Sequence, residues 1–375
     1  MPLKFELGPG RMIGGSNPCF IIAEIGQNHQ GDIEIAKKMI KMAKDCGADC
    51  AKFQKSELEY KFNKRALERP YNSKHSWGKT YGDHKRHLEF SHEQYRELQK
   101  YAKEVGIFFT ASGMDELLEK LQLCFTSGRP MVISSGMQSM ATMRRVYQTV
   151  KEHNQNFTIL QCTSAYPLDP EDVNLCVIAE YQKEFPDIPI GYSGHERGIS
   201  ITVAAVAMGA KVVERHVTLD KSWKGNDHEA SLEPSELTEL VRAIRLVERA
   251  QGTGIKQMLP CEKACHDKLG KSVVAKVAIP KGTVLSLDML GVKVGEPKGA
   301  LLKTWVSWWA GRHRGRGGGG HTKIGWRHKK RAESPGGGPF AKNWKRIKPG
   351  ILGDPGSIDP NPFALKWWGR RIVRV

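Results

Sequence analysis

A chain of 375 residues, 39% hydrophobic and 26% charged, with a mean hydropathy of -0.46, is long enough for one large domain and a smaller one around a sizeable core. No apolar run approaches a membrane span and Met1 to Glu6 hold no uninterrupted apolar stretch of the signal-peptide kind, so a cytoplasmic protein without membrane contact is expected. The net charge of +18 points to nucleic acid until it is divided: from Ala300 onward 17 Lys and Arg face three acids, and the residues before carry only +4.

Phe20 to Gly26 reads as a buried strand, Ile33 to Cys46 as a helix with Ile35, Met39, Ile40 and Ala43 on one face, and Cys50 to Lys55 as the next strand. The polar stretch Glu59 to Glu89, with His75, Trp77, Tyr81, His84 and His87, is too long for an ordinary connection. It reads either as a loop over a functional rim or as a structured surface excursion. Helix His92 to Val105 then leads into strand Gly106 to Ser112, and Asp115 to Leu123 reads as a helix before strand Pro130 to Met137. Helix Ser139 to His153, strand Phe157 to Ser164, helix Val173 to Phe185, strands ending near His195 and His216, and helix Pro234 to Ala250 complete the series.

Strands alternating with helices at this spacing predict a parallel α/β architecture, most economically a barrel. The strands near 20, 50, 107, 132, 159, 189 and 213 number seven, one short of a closed (β/α)8 ring, and Gly113 to Pro130 has no room for another strand and helix. The barrel is placed in residues 1–251. A second domain, 252–299, contributes short β elements at Leu269 to Ala275 and Ile279 to Leu285 and a helical turn at Leu287 to Leu290. Residues 300–375 hold seven of the nine tryptophans among Gly and Arg runs with no helical or strand period, and are expected to be disordered.

Two histidines organise the middle of the chain. His195 ends Gly191-Tyr192-Ser193-Gly194, and His216 ends Val212-Val213-Glu214-Arg215 about twenty residues later. Parallel strands deliver their C-terminal ends to one rim, where ligands usually sit, so the two imidazoles are expected to converge there. A pair of neutral imidazoles with open positions suits a divalent metal that also holds substrate; local hydrogen bonding is the other reading. The eight cysteines lack the density of a disulfide scaffold, and the i, i+4 pairs Cys46/Cys50 and Cys261/Cys265 read as helix faces rather than zinc knuckles.

Six ordered motifs resemble the sialic acid synthase family: Ala23 to His29, Lys52-Phe53-Gln54, Ser134 to Met137, Gln161 to Pro167, Gly191 to Glu196 and Glu214 to Thr218. The likeness runs from the N-terminus to about Leu118 and from Gly128 to Gly299. It implies a (β/α)8 TIM-type barrel followed by a small antifreeze-like (SAF) domain, of which Leu269 to Gly299 resembles the first half, and a homodimer in which that domain caps the partner's barrel. It also implies condensation of phosphoenolpyruvate with N-acetylmannosamine 6-phosphate. The family's pattern would make His195 and His216 ligands for Mn2+ or Mg2+, with Glu24 and Asp227 beside them as catalytic carboxylates. Gln54 and Tyr166 would face the sugar, and Lys52, Ser134, Ser164 and Ser193 would grip phosphoenolpyruvate.

Two departures stand against the family pattern. Its members carry a strand with a Lys-Val-Gly-Ser-Gly-Asp type motif between those ending near Ser112 and beginning near Pro130, which matches the gap in the strand count. Beyond Gly299 the family sequence gives way to the Gly/Arg/Trp tail. An impaired synthase is therefore expected. The alternative is a catalytically inactive variant whose basic, Trp-rich tail binds nucleic acid or an acidic surface, against which stands a tail that is basic by accident.

Overall fold

In a computed structural model, the described residues are 4–113, 128–300 and 372–374. They divide between two compact units, residues 1–254 with 360–375 and residues 255–359.

In the first unit, seven parallel strands curl side by side: β3 (Phe20–Gly26), β4 (Cys50–Lys55), β5 (Phe108–Gly113), β6 (Met131–Ser134), β7 (Phe157–Cys162), β8 (Ile190–Gly194) and β9 (Val212–His216). The order β5-β4-β3-β9-β8-β7-β6 leaves β5 and β6 at the two ends. They are bridged by a three-residue antiparallel strand, β12 (Ile372–Arg374), whose Val373 lies level with Ser112 on one side and Val132 on the other. This corrects two expectations. The ring is not left with open edges, and the tail is not wholly without structure. The expected helix at Asp115 to Leu123 and the character of 301–371 lie outside the described residues.

Helices form where an apolar stripe meets capping chemistry. Ile33–Asp45 starts at Asp32, whose carboxylate accepts the amides of Glu34 and Ile35, and it buries Ala36, Met39, Ile40 and Ala43. His92–Val105 opens on a reciprocal Ser91/Gln94 capping box and stops at Gly106, whose φ of 78° is left-handed. These helices, with Met140–His153, Cys176–Glu184, Ser200–Ala207 and Pro234–Ala250, pack on the outward-facing residues of the strands, Ile21, Ala23, Ala51, Phe53, Met131, Ile159, Tyr192 and Val213 among them.

Strand alternation turns the other residues inward. The lower interior layer is apolar: Phe20, Ile22, Cys50, Val132, Leu160 and Val212. It is sealed from below by a hairpin absent from the sequence-based expectation, β1 (Phe5–Gly8) paired with β2 (Arg11–Ile13), which inserts Phe5, Leu7 and Ile13 into the same cluster. One or two residues further along each strand the interior becomes polar: Glu24, Lys52, Thr110, Ser134, Ser193, Glu214 and His216 are all buried.

In the second unit, helix Lys263–Leu269 precedes β10 (Ser272–Ala275), which pairs antiparallel with β11 (Leu290–Lys293). The expected turn at 287–290 is the 3-10 helix Leu287–Met289. Ile279 to Leu285 is not a strand. β10 takes β11 instead, and Ala300 bridges the other side of Val273.

Candidate active site

The polar layer is built by register. Glu24 on β3 lies level with Lys52 on β4 and with His216 on β9, and Ser193 on β8 lies level with Glu214. The Lys52 ammonium sits 2.7 Å from Glu24 Oε2 and 2.6 Å from Glu214 Oε2, with all three side chains essentially inaccessible to water. Ser193 Oγ donates to the other Glu214 oxygen at 3.1 Å, and Gln54 Nε2 donates to Glu24 Oε1 at 2.9 Å. Two buried carboxylates and one ammonium leave a local negative charge, which each added hydrogen bond helps to hold.

Gly26 keeps open the space above this cluster. A Cβ there would lie 3.2 Å from both Gln54 Nε2 and Glu24 Oε1 and 3.5 Å from His216 Cε1, so three predicted site residues converge on one point that has no side chain of its own. The two histidines do meet at the rim, with ring centroids 5.3 Å apart. Tyr166 packs on both, 4.2 Å from the His195 ring and 5.7 Å from that of His216. His195 Nδ1 lies 2.8 Å from the Thr163 carbonyl, an oxygen that can only accept, so Nδ1 carries the proton and Nε2 the lone pair. Asp227 Oδ2 stands 3.8 Å from His216 Nδ1.

Behind the rim a second buried network fixes the β8 end. Arg215 faces outward from β9 and donates to Glu196 Oε1 at 3.0 Å, while Tyr192 and Thr202 hydroxyls donate to the same carboxylate. Burial lowers the Arg215 pKa and the Glu196 charge opposes that shift. The residue next to His195 is thereby tied to the following helix.

Ser134 and Ser164 form a separate grouping over Gly136. A Cβ on Gly136 would collide with Ser164 Oγ and come within 3.6 Å of Ser134 Oγ. Two hydroxyls thus flank a glycine at the ends of β6 and β7.

A cavity of about 310 Å³ opens above the carboxylate cluster, with Gln54, Ser164, Tyr166 and Asp227 in its wall. The 59–89 segment supplies much of the opposite wall through Trp77, His84 and Lys85, so it is both structured and part of the rim. It is held to the loop before Pro234 by the Gly225 amide, which donates to His75 Nδ1 at 3.1 Å, and by Asn226 Nδ2, which donates to Tyr71 Oη at 3.1 Å.

Three residues of the interior layer escaped the sequence reading. Glu214, two residues before His216 on the same strand face, was legible by alternation alone. Thr110 and Ser112 on β5 also turn inward, and their buried hydroxyls make no hydrogen bond among the described residues. No group of three or more His, Cys, Asp or Glu suited to a metal occurs among the described residues. The seven described cysteines are free, and no described helix is long and apolar enough to cross a membrane.

The N-acetylneuraminate-9-phosphate synthase of Homo sapiens is 72% identical over 321 residues, covering 80% of this chain and 89% of the human protein. The synthase of that name from Drosophila melanogaster is 45% identical over 333 residues, 76% of this chain and 90% of the fly protein. Among solved structures, the sialic acid synthetase of Leptospira borgpetersenii in complex with citrate superposes with a TM-score of 0.62 at 29% identity, covering 70% of this chain and 95% of that one. The NeuB family profile matches residues 39–121 and 116–256. On the strength of that match and of these relatives, the chain belongs to the NeuB family.

Proposed function

We propose that this chain is a sialic acid synthase, condensing phosphoenolpyruvate with N-acetylmannosamine 6-phosphate and water to N-acetylneuraminate 9-phosphate and inorganic phosphate. The observation that carries the reading is the likeness to the human synthase over nearly the whole of that protein. The reaction joins C3 of phosphoenolpyruvate to the aldehyde carbon of the open sugar, adds water at C2, and releases phosphate by breaking the C2–O bond.

His195 and His216 would hold Mn2+ or Mg2+. The donor set fits: two buried imidazoles lie side by side, with the tautomer of one fixed by the Thr163 carbonyl and Asp227 beside the other. When bound there, the ion supplies Lewis-acid polarisation of the aldehyde oxygen. Gln54 and Tyr166 orient the sugar, and Tyr166 also shields both imidazoles from water. Glu24, held by Lys52 and Gln54, is placed to position a hydroxyl or the attacking water, and Asp227 can do so from the opposite wall. Lys52, Ser193, Ser134 and Ser164 serve phosphoenolpyruvate, the lysine exchanging one carboxylate contact for the anionic substrate.

The phosphate side of the site is incomplete. Where the family has a parallel strand with its own lysine and serine, this chain has the short antiparallel β12, an arrangement that supports reading the fold as a TIM-type barrel lacking one β/α unit. The second unit, with its β10/β11 pair, is read as a truncated SAF domain, and a homodimer and a cytoplasmic location follow from the same family reading. Loss of two charge-assisted phosphate contacts costs several kcal/mol, so turnover is expected roughly a hundredfold or more below that of the human relative. Phosphate release from phosphoenolpyruvate and N-acetylmannosamine 6-phosphate with and without Mn2+ tests this. Slow, metal-dependent product formation agrees. A rate equal to the relative's would overturn the impairment, and absence of turnover and of binding to either substrate would overturn the synthase reading.

A further inference from the structure

The buried network behind the rim joins the sequence neighbours of the two histidines. Glu196 directly follows His195 and Arg215 directly precedes His216, and both side chains are 1% exposed. The guanidinium grips Glu196 at two levels. Nη1 donates to Glu196 Oε1 at 3.0 Å and Nη2 to the Glu196 backbone carbonyl, while Nη1 also reaches the Gly198 carbonyl at 2.7 Å. The same carboxylate accepts from Tyr192 Oη at 2.8 Å and from Thr202 Oγ1 at 2.7 Å. Gly194 leaves room for this arrangement: a Cβ there would lie 2.4 Å from Glu196 Oε2 and 2.6 Å from Tyr192 Cε1. The chain thus folds Glu196 back against the strand that delivers His195.

Other parts of the rim are tied to the same point. The Leu168 amide donates to the His195 carbonyl at 3.0 Å, and Leu168 pairs with Glu196 as a parallel bridge. Tyr166, two residues before Leu168, packs on both imidazoles. On β9, Arg215 lies level with Gly194 of β8, so its guanidinium crosses from one strand to the residues just past the end of the other. Neither Glu196 nor Arg215 stands in the wall of the cavity, so substrate contact does not account for the pair. Stability alone is a weak account too, because a buried ion pair adds little over apolar side chains of the same volume. Its directional, charge-assisted hydrogen bonds do fix position.

We propose that Glu196 and Arg215 are positioning residues for the histidine pair: their ion pair, joining the residue after His195 to the residue before His216, sets the spacing of the two imidazoles and with it the affinity of the site for a divalent cation. This rests on the metal reading of His195 and His216 and extends it to two side chains on the outer face of the barrel. Groups behind metal-binding imidazoles commonly change metal affinity about 10- to 100-fold when they are removed.

Titration of the full chain with Mn2+ alone, following the free ion by electron paramagnetic resonance, tests the assignment without any turnover. Arg215→Met is expected to weaken Mn2+ binding about tenfold or more. Arg215→Lys keeps the charge but cannot grip carboxylate and carbonyl together, so it should recover part of that loss. Glu196→Gln preserves shape and keeps one acceptor for the guanidinium, so it reads the site even where Arg215→Met disturbs the fold; a smaller loss, of a few fold, is expected. Asp49→Asn is the control for stability, since it breaks buried pairs with Arg11 and Arg245 away from the histidines. It should lower Tm and leave Mn2+ affinity unchanged. Native affinity in both Arg215→Met and Glu196→Gln would overturn the positioning role, as would an equal loss in Asp49→Asn. A native chain that binds no Mn2+ would instead remove the metal reading, and the positioning role with it.

Discussion

At the scale of single residues, Lys52 decides whether the interior can exist. Glu24 and Glu214 face each other across it, and both carboxylates are buried. Replacing Lys52 by Met removes the ammonium that both buried carboxylates share, leaving Gln54 donating to Glu24 and Ser193 to Glu214. Removing one partner of a buried ion pair costs about 3–5 kcal/mol. Thermal unfolding of Lys52→Met should therefore show a large fall in Tm, and an unchanged midpoint would mean that the carboxylates take up protons without penalty. The family resemblance implied that Lys52, at a strand end, grips phosphoenolpyruvate. That its resting partners are Glu24 and Glu214 required knowing that β4, β3 and β9 are neighbours, which no local pattern contains. Glu214 was within reach of sequence reasoning, because a strand that turns His216 inward turns the residue two before it inward as well.

At the scale of elements, seven parallel strands were legible because each is a short apolar run and most alternate with helical segments. The missed elements are the short ones. β1 and β2 are four and three residues with mixed polarity, and their burial comes from plugging a barrel formed by residues far along the chain. β12 is stranger still: Ile372–Arg374 carries no signal of its own, and it becomes a strand because β5 and β6 each present an unpaired edge. A chain ending at Arg371 should expose both edges. The expected result is a stability loss on the order of 1–3 kcal/mol from the lost backbone hydrogen bonds, with increased self-association in light scattering. If truncation alters neither the unfolding midpoint nor the solution size, β12 contributes nothing to closing the ring.

At the scale of the whole molecule, the division of charge was readable by counting, and it separates the nearly neutral barrel from a basic C-terminal stretch that lies mostly outside the described residues. Acid stability is a second global property. Burial pushes His29 down to about 3, where it stacks on Phe90 with centroids 4.1 Å apart, and pushes His84 and His228 down to about 4. Below pH 6.5 the unfolded chain binds protons that these folded imidazoles refuse. Stability is therefore full above that pH and falls as the pH drops toward 4, by up to about 1.4 kcal/mol per pH unit for each such group. Denaturant unfolding between pH 7 and 4.5 should show this decline, with a shallower slope in His29→Gln; an identical slope would mean that His29 titrates alike in both states.

The hairpin under the barrel has one more consequence. With Phe5, Leu7 and Ile13 packed against the lower interior layer, the barrel has a floor, and traffic is confined to its upper mouth. Both substrates, the released phosphate and a nine-carbon product must use that single doorway. Entry of the next substrate and departure of the product therefore compete for one opening, because the barrel cannot be traversed from end to end.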